Sequence, residues 1–166
     1  MKVCLDHSEQ KPFFKQNIHN LSEAKKTNPD NLTACLLKRD RHNDIIKTLN
    51  SMNVNIKYID DGDVTGILAV SDPLSKVDIY IGIGGAPEGV LAAAALDCLG
   101  CQMQTRLVFQ DEKERNRAKE LGLKNLDRKY NINDMIKGDV IFCATGITDT
   151  AQLTRASSSI TIVIDR

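Results

Sequence analysis

Apolar residues recur in short runs along this chain. Each run ends in a polar or glycine-rich break, and most breaks lead into a helical pattern. Val77 to Ile83 is the clearest case. It is rich in β-branched residues and too short for a stable helix, so it predicts a buried strand. Gly82, Gly84 and Gly85 then form a turn. Pro87 suits the first turn of a helix, where its missing N–H costs nothing, and Leu91 to Leu96 continues that helix in alanine. Lys15 to Lys26 carries Ile18, Leu21 and Ala24 at helical spacing, until Asn28-Pro29-Asp30-Asn31 breaks it. Leu32 to Leu37 reads as a second strand. An amphipathic helix then runs to about Met52 with Ile45, Ile46 and Leu49 inward.

Val54 to Ile59 predicts a third strand, and Asp63 is expected to cap a short helix through Ile67 and Leu68. Thr105 to Phe109 predicts a strand, and Asp111 to Leu121 a charged surface helix stopped by Gly122. Asn131 to Gly138 reads as a short helix or turn. Asp139 to Thr148 repeats the pattern of an apolar strand entering a glycine turn, and Ile160 to Ile164 is a last strand. Residues 1–14 read as irregular. Strands alternating with helices predict an α/β fold, a layered αβα domain around a mainly parallel or mixed sheet. The 166 residues suffice for one domain with its own core, taken here as 1–166.

Charge narrows the possibilities. Lys plus Arg and Asp plus Glu each number 22, so no net basic charge favours nucleic acid. No apolar run reaches the roughly eighteen residues of a membrane span, and Met1 to His7 lacks the apolar region of a signal peptide. The expectation is a cytoplasmic protein that binds neither nucleic acid nor membrane. Five cysteines, an odd count, fit reduced thiols. Cys35 and Cys143 lie inside apolar runs and are expected in the core. Cys98 and Cys101 end the alanine-rich helix, with Gly100 as its cap. A zinc site would need two more ligands, and the chain has no second close Cys or His pair.

The glycine turn before Pro87 is the strongest chemical candidate. A helix N-terminus there offers unpaired N–H groups and partial positive charge, which suit phosphate. Glu88 at the same point repels phosphate unless a divalent cation lies between them. The competing reading is that these glycines only permit tight strand–helix packing. A dinucleotide fingerprint fails because Pro87 stands where its third glycine belongs, and no Gly-Lys-Ser/Thr end completes a P-loop. Two other strands also end in charge. Lys38-Arg39-Asp40-Arg41-His42 follows one, and Asp60-Asp61-Gly62-Asp63 follows another. Ligands of open α/β sheets bind at such ends. The plain alternatives are a solvated charge run and an ordinary Asp-Gly turn. His42 reads as a polar helix-start residue rather than a catalytic base.

Asp61-Gly62-Asp63-Val64 followed by Gly82-Ile83-Gly84-Gly85-Ala86-Pro87-Glu88-Gly89-Val90 closely resembles the class II fructose-1,6-bisphosphatases. Arg39-x-Arg41-His42 and the late Val140-Ile141-Phe142-x-Ala144-Thr145-Gly146-Ile147-Thr148 also resemble that family, in order and spacing. The match is firm from about Leu32 to Thr148 and thinner over 1–31 and 149–166. The resemblance implies the lithium-sensitive sugar phosphatase fold, hydrolysis of fructose 1,6-bisphosphate in gluconeogenesis, and magnesium or manganese as cofactor. It implies Glu88 as a metal ligand. Arg39, Asp40, Arg41, Asp61, Gly62, Asp63 and Gly85 are the implied substrate-binding positions. Asp40 stands where the family usually has proline.

The family enzyme is about twice this length, and its N-terminal half carries most metal ligands and the water-activating groups. No catalytic residue is therefore expected here. The implied partners are a sugar bisphosphate, an N-terminal half in trans, and further copies in a homo-oligomer. The alternative is a non-catalytic sugar-phosphate-binding module or an inactive remnant.

Overall fold

The computed structural model describes residues 3–5, 12–145 and 159–164. Its main sheet has six strands: β1 (Val3–Leu5), β2 (Thr33–Leu37), β3 (Asn55–Ile59), β4 (Ile79–Ile81), β5 (Gln102–Thr105) and β6 (Tyr130–Asn131). Their spatial order is β3-β2-β4-β1-β5-β6. The first five are parallel, and β6 pairs antiparallel with β5 at the edge. The helices are α1 (Pro12–Lys25), α2 (Asn43–Ser51), α3 (Asp63–Ser71), α4 (Ala86–Cys98), α5 (Glu112–Glu120) and α6 (Ile132–Met135).

Alternation along the strands sorts the core into two layers, because successive side chains point to opposite faces. Ala34 and Leu36 of β2, with Ile79 and Ile81 of β4, meet Ile18 and Leu21 of α1 and Ile45 and Leu49 of α2. Cys35 and Tyr80, one residue out of phase, meet Ile67 and Val70 of α3 and Ala92, Ala93 and Leu96 of α4. Helices thus cover both faces, as the α/β pattern predicts. Alanine fills much of the buried side of α4 and lets it approach the sheet closely. Gly66 does the same for α3, where a Cβ would stand 2.5 Å from Ile59 Cδ1 and 2.7 Å from Tyr80 Cε2.

Polar contacts fasten the opposite end of the sheet. Buried Asp78 donates its N–H to the Thr33 carbonyl at 2.9 Å, and its Oδ2 accepts the Thr33 N–H at 2.8 Å. Its Oδ1 pairs with Lys25, in the last turn of α1.

Several expectations need correction. Residues 1–14 are not irregular throughout. Val3–Leu5 lies inside the sheet between β4 and β5, and α1 begins at Pro12. Three residues are too few for a periodic signal, so only their pairing partners reveal the strand. The strand expected over Thr105 to Phe109 lies instead at Gln102–Thr105, in register with β1 through Gln104. Residues 106–109 have no regular structure. Asp63 does not cap α3. The cap is Gly62, at φ 83, and Asp63 is the first helical residue.

The late apolar runs form β7 (Val140–Thr145) and β8 (Ser159–Ile164), an antiparallel pair outside the main sheet. Phe142 packs on Leu68, Ala95 and Cys98 across the outer side of α3 and α4. Cys143 is consequently exposed rather than in the core, since it points opposite to Phe142. The glycine turn expected at Gly146 lies outside the described residues.

Candidate functional site

The C-terminal ends of β2, β3, β4 and β5 each send residues into one open cleft of about 750 Å³. Arg41 follows β2, Asp63 follows β3, Gly82 to Gly85 follow β4, and Arg106 follows β5. Parallel strands point these ends the same way, which is why open α/β sheets bind ligands there. The volume falls within the range of small-molecule sites.

The floor is the N-terminus of α4. Gly85 is the cap residue and Pro87 lies in the first turn. Glu88 folds back so that its Oε2 accepts the Gly85 N–H at 2.6 Å. This satisfies one of the orphan donors of the helix end and keeps the carboxylate beside the glycine turn. Asp63 approaches from α3, where its Oδ1 accepts a hydrogen bond from the Tyr80 hydroxyl at 3.3 Å.

The basic segment after β2 divides. Arg41 lines the cleft, and its Nε donates to the Ile83 carbonyl at 2.7 Å. Arg39 lies over the end of β3, donating to the Asp60 carbonyl at 2.6 Å and the Lys38 carbonyl at 3.2 Å. Asp40 opens a 3₁₀ turn, Asp40–His42, and is exposed. Asp61 is exposed, and Gly62 turns the chain into α3. Of the residues singled out in the sequence, the cleft brings together Arg41, Asp63, Gly85 and Glu88. Arg39, Asp40, Asp61 and Gly62 are not among its lining residues.

Sequence reasoning did not pick out Tyr80 or Arg106 as site residues. Arg106 falls inside the strand expected over Thr105 to Phe109, whereas it follows the observed one. It lines the far wall and donates from a guanidinium nitrogen to the Asp127 carbonyl at 3.1 Å. Tyr80 lies within the strand expected over Val77 to Ile83, and only its hydrogen bond to Asp63 marks it. His42 does start the helical segment, but it is fully buried and bonded between β2 and the glycine turn.

The donor set bears on a metal. Among the described residues, no group of three His, Cys, Asp or Glu side chains is placed to hold an ion. Glu88 and Asp63 both flank Gly84, and hard divalent cations take carboxylate oxygens. Magnesium commonly uses one or two carboxylates, completed by phosphate oxygens and water, so these residues fit part of such a site. The Cys98–Cys101 pair serves the end of α4: Cys98 Sγ lies 3.7 Å from the Val140 carbonyl and Cys101 Sγ 3.7 Å from that of Leu99.

A family model described as bacterial fructose-1,6-bisphosphatase, glpX-encoded, matches residues 5–161. The chain is 33% identical over 161 residues to a D-fructose 1,6-bisphosphatase class 2/sedoheptulose 1,7-bisphosphatase of Synechococcus sp. (strain JA-3-3Ab), across 89% of this chain and 45% of that protein. A protein with the same description from Gloeobacter violaceus (strain ATCC 29082 / PCC 7421) is 31% identical over the same shares. The chain therefore spans about 45% of the length of these curated relatives.

Proposed function

The chain belongs to the glpX-encoded bacterial fructose-1,6-bisphosphatase family, and we propose that its cleft is the substrate-orienting part of a class II fructose-1,6-bisphosphatase site. The observation that carries this is the convergence of Arg41, Asp63, Gly85 and Glu88 at neighbouring strand ends. The reaction is hydrolysis of fructose 1,6-bisphosphate to fructose 6-phosphate and phosphate, a gluconeogenic step. Water adds to the 1-phosphorus and the bond to the sugar oxygen breaks.

Each residue has a task in that reaction. Arg41 attracts a phosphate, and the α4 N-terminus presents N–H groups and partial positive charge to it. Asp63 accepts hydrogen bonds from sugar hydroxyls and is steadied by Tyr80. Arg39, Asp40, Asp61 and Gly62 stand next to Arg41 and Asp63 in the chain and meet the substrate as it enters. Glu88 would hold a magnesium or manganese ion, which when bound neutralises phosphate charge and lowers the pKa of a bound water.

Glu88 by itself cannot bind such an ion tightly. The remaining ligands come from polypeptide corresponding to the other part of the relatives, in trans if it is a separate chain. By itself this chain hydrolyses the bisphosphate feebly or not at all. We place the assembly in the cytoplasm as a homo-oligomer. The second reading, a non-catalytic sugar-phosphate-binding module, draws on the lack of a three-ligand metal group among the described residues.

The test is phosphate release from fructose 1,6-bisphosphate with manganese, measured with and without the complementary part of a relative. Hydrolysis that needs both pieces and is lost in Glu88→Ala supports the bisphosphatase reading. Binding of the sugar phosphate without metal, and no hydrolysis in any mixture, supports the second.

A further inference from the structure

Arg41 and His42 are neighbours in the chain, and between them they hold both backbone polar groups of Ile83. Arg41 Nε donates to the Ile83 carbonyl at 2.7 Å, while His42 Nε2 accepts the Ile83 N–H at 2.9 Å. The other ring nitrogen, Nδ1, lies 2.7 Å from the Leu37 carbonyl at the end of β2. An acceptor at Nε2 leaves Nδ1 as the N–H donor, so these two partners select the Nδ1–H tautomer. The ring has no exposed surface.

The sheet cannot do this work itself. The ladder between β4 and β2 joins Ala34 to Ile79 and Cys35 to Tyr80, and that between β4 and β1 ends at Ile81. Ile83 lies beyond both, immediately before Gly84 and Gly85, in a connection that has no regular structure and no ladder to fix it. Ile83 is half-buried, and without His42 its N–H would lose the acceptor it has. The imidazole supplies that acceptor and spans rigidly from the end of one strand to the turn after the next.

We propose that His42 is a positioning residue of the cleft, setting the Gly82–Gly85 turn, and with it the Gly85–Glu88 helix start, at a fixed place relative to Arg41. This deepens the bisphosphatase reading and rests on it only for the identity of the ligand.

Two substitutions separate the two ends of the ring. In His42→Asn the side-chain amide overlies Nδ1 and can still donate to Leu37, but nothing reaches Ile83. In His42→Gln the amide overlies Nε2, and its oxygen can still accept from Ile83. Both variants lose ring packing and some stability. The Asn variant should exchange its Ile83 amide proton about tenfold or more faster than wild type and bind fructose 1,6-bisphosphate about tenfold more weakly. The Gln variant should recover most of both losses. Equal exchange and equal affinity in the two variants would overturn the proposal. Nitrogen NMR of the wild-type ring gives an independent check, with Nδ1 carrying the proton; an Nε2–H tautomer would also overturn it. If wild-type protein binds no bisphosphate, the functional reading fails, and the Ile83 exchange contrast still decides the role of His42.

Discussion

Asp63 and Glu88 close on the same glycine from different helices. A methyl group on Gly84 would stand 3.2 Å from Oδ2 of Asp63 and 3.5 Å from Oε2 of Glu88. Asp63 is held from outside its helix, whereas Glu88 is held by the cap of its own. Tyr80 of β4 holds Asp63 by one oxygen, and the Gly85 N–H holds Glu88. Two negative charges are thus kept beside a positively polarised helix end, an arrangement that suits a cation and a phosphate together.

Glu88 serves both as helix cap and as candidate ligand, and two substitutions distinguish these roles. Glu88→Gln keeps an acceptor for the Gly85 N–H but removes the charge. It should leave the melting temperature within a few degrees of wild type while abolishing manganese binding by the chain joined to its complementary part. Glu88→Ala should lose both, with a stability cost of about 1 kcal/mol from the cap. Calorimetric metal titration beside thermal melting reads the two effects. A Gln variant that still binds manganese would remove Glu88 as ligand.

Gly66→Ala should be among the more damaging single-methyl changes in the fold. The added carbon meets Ile59 Cδ1 and the Tyr80 ring, both held within the packing of α3 on the sheet. Overpacking of this kind costs about 1–3 kcal/mol. Gly84→Ala meets only the ends of two carboxylate side chains, so it should cost less stability but displace the candidate ligands. Urea unfolding and substrate binding, measured on both variants, should rank them in opposite order.

Asp78→Ala should loosen the join between α1 and the base of the sheet. It leaves the Thr33 N–H without its 2.8 Å acceptor and removes the partner of Lys25. The expected loss is about 1–3 kcal/mol by denaturant unfolding, chiefly from the buried donor. The half-exposed lysine can turn to water. Unchanged stability would show that water takes over both bonds.

Burial pushes the Cys35 thiol up from 9.0 to about 11, and Lys57 only partly offsets this. Because the folded value lies above the unfolded one, the associated stability is complete below pH 9 and is lost as pH rises toward 11. At pH 8, iodoacetamide should label exposed Cys143 and spare Cys35 until the protein is unfolded. Peptide mass spectrometry distinguishes the two sites. Equal labelling in the native state would contradict the buried placement of β2.

Local pattern was enough for the strands after Leu32 and Val54, the strand before Gly82 and the alanine-rich helix. Each has its period or its punctuation in consecutive residues, and the glycine–proline–glutamate block announced a helix start with a carboxylate beside it. What lay beyond reach depended on partners distant in the chain. Val3–Leu5 is a strand because β4 and β5 flank it. β7 and β8 pair with each other outside the main sheet, although β7 looked like another strand of the same kind.

The candidate site divides in the same way. Sequence by itself determined an α/β chain with charged strand ends and a glycine turn fit for phosphate, because residue order along a strand sets which side chains stand at its end. Tertiary structure decided that Arg41 faces the cleft while Arg39 lies on the end of β3, that Arg106 joins from the far wall, and that His42 is a buried brace. Those outcomes follow from which backbone carbonyl or N–H each side chain finds across the sheet, and such a partner exists only once strands from separate parts of the chain lie side by side.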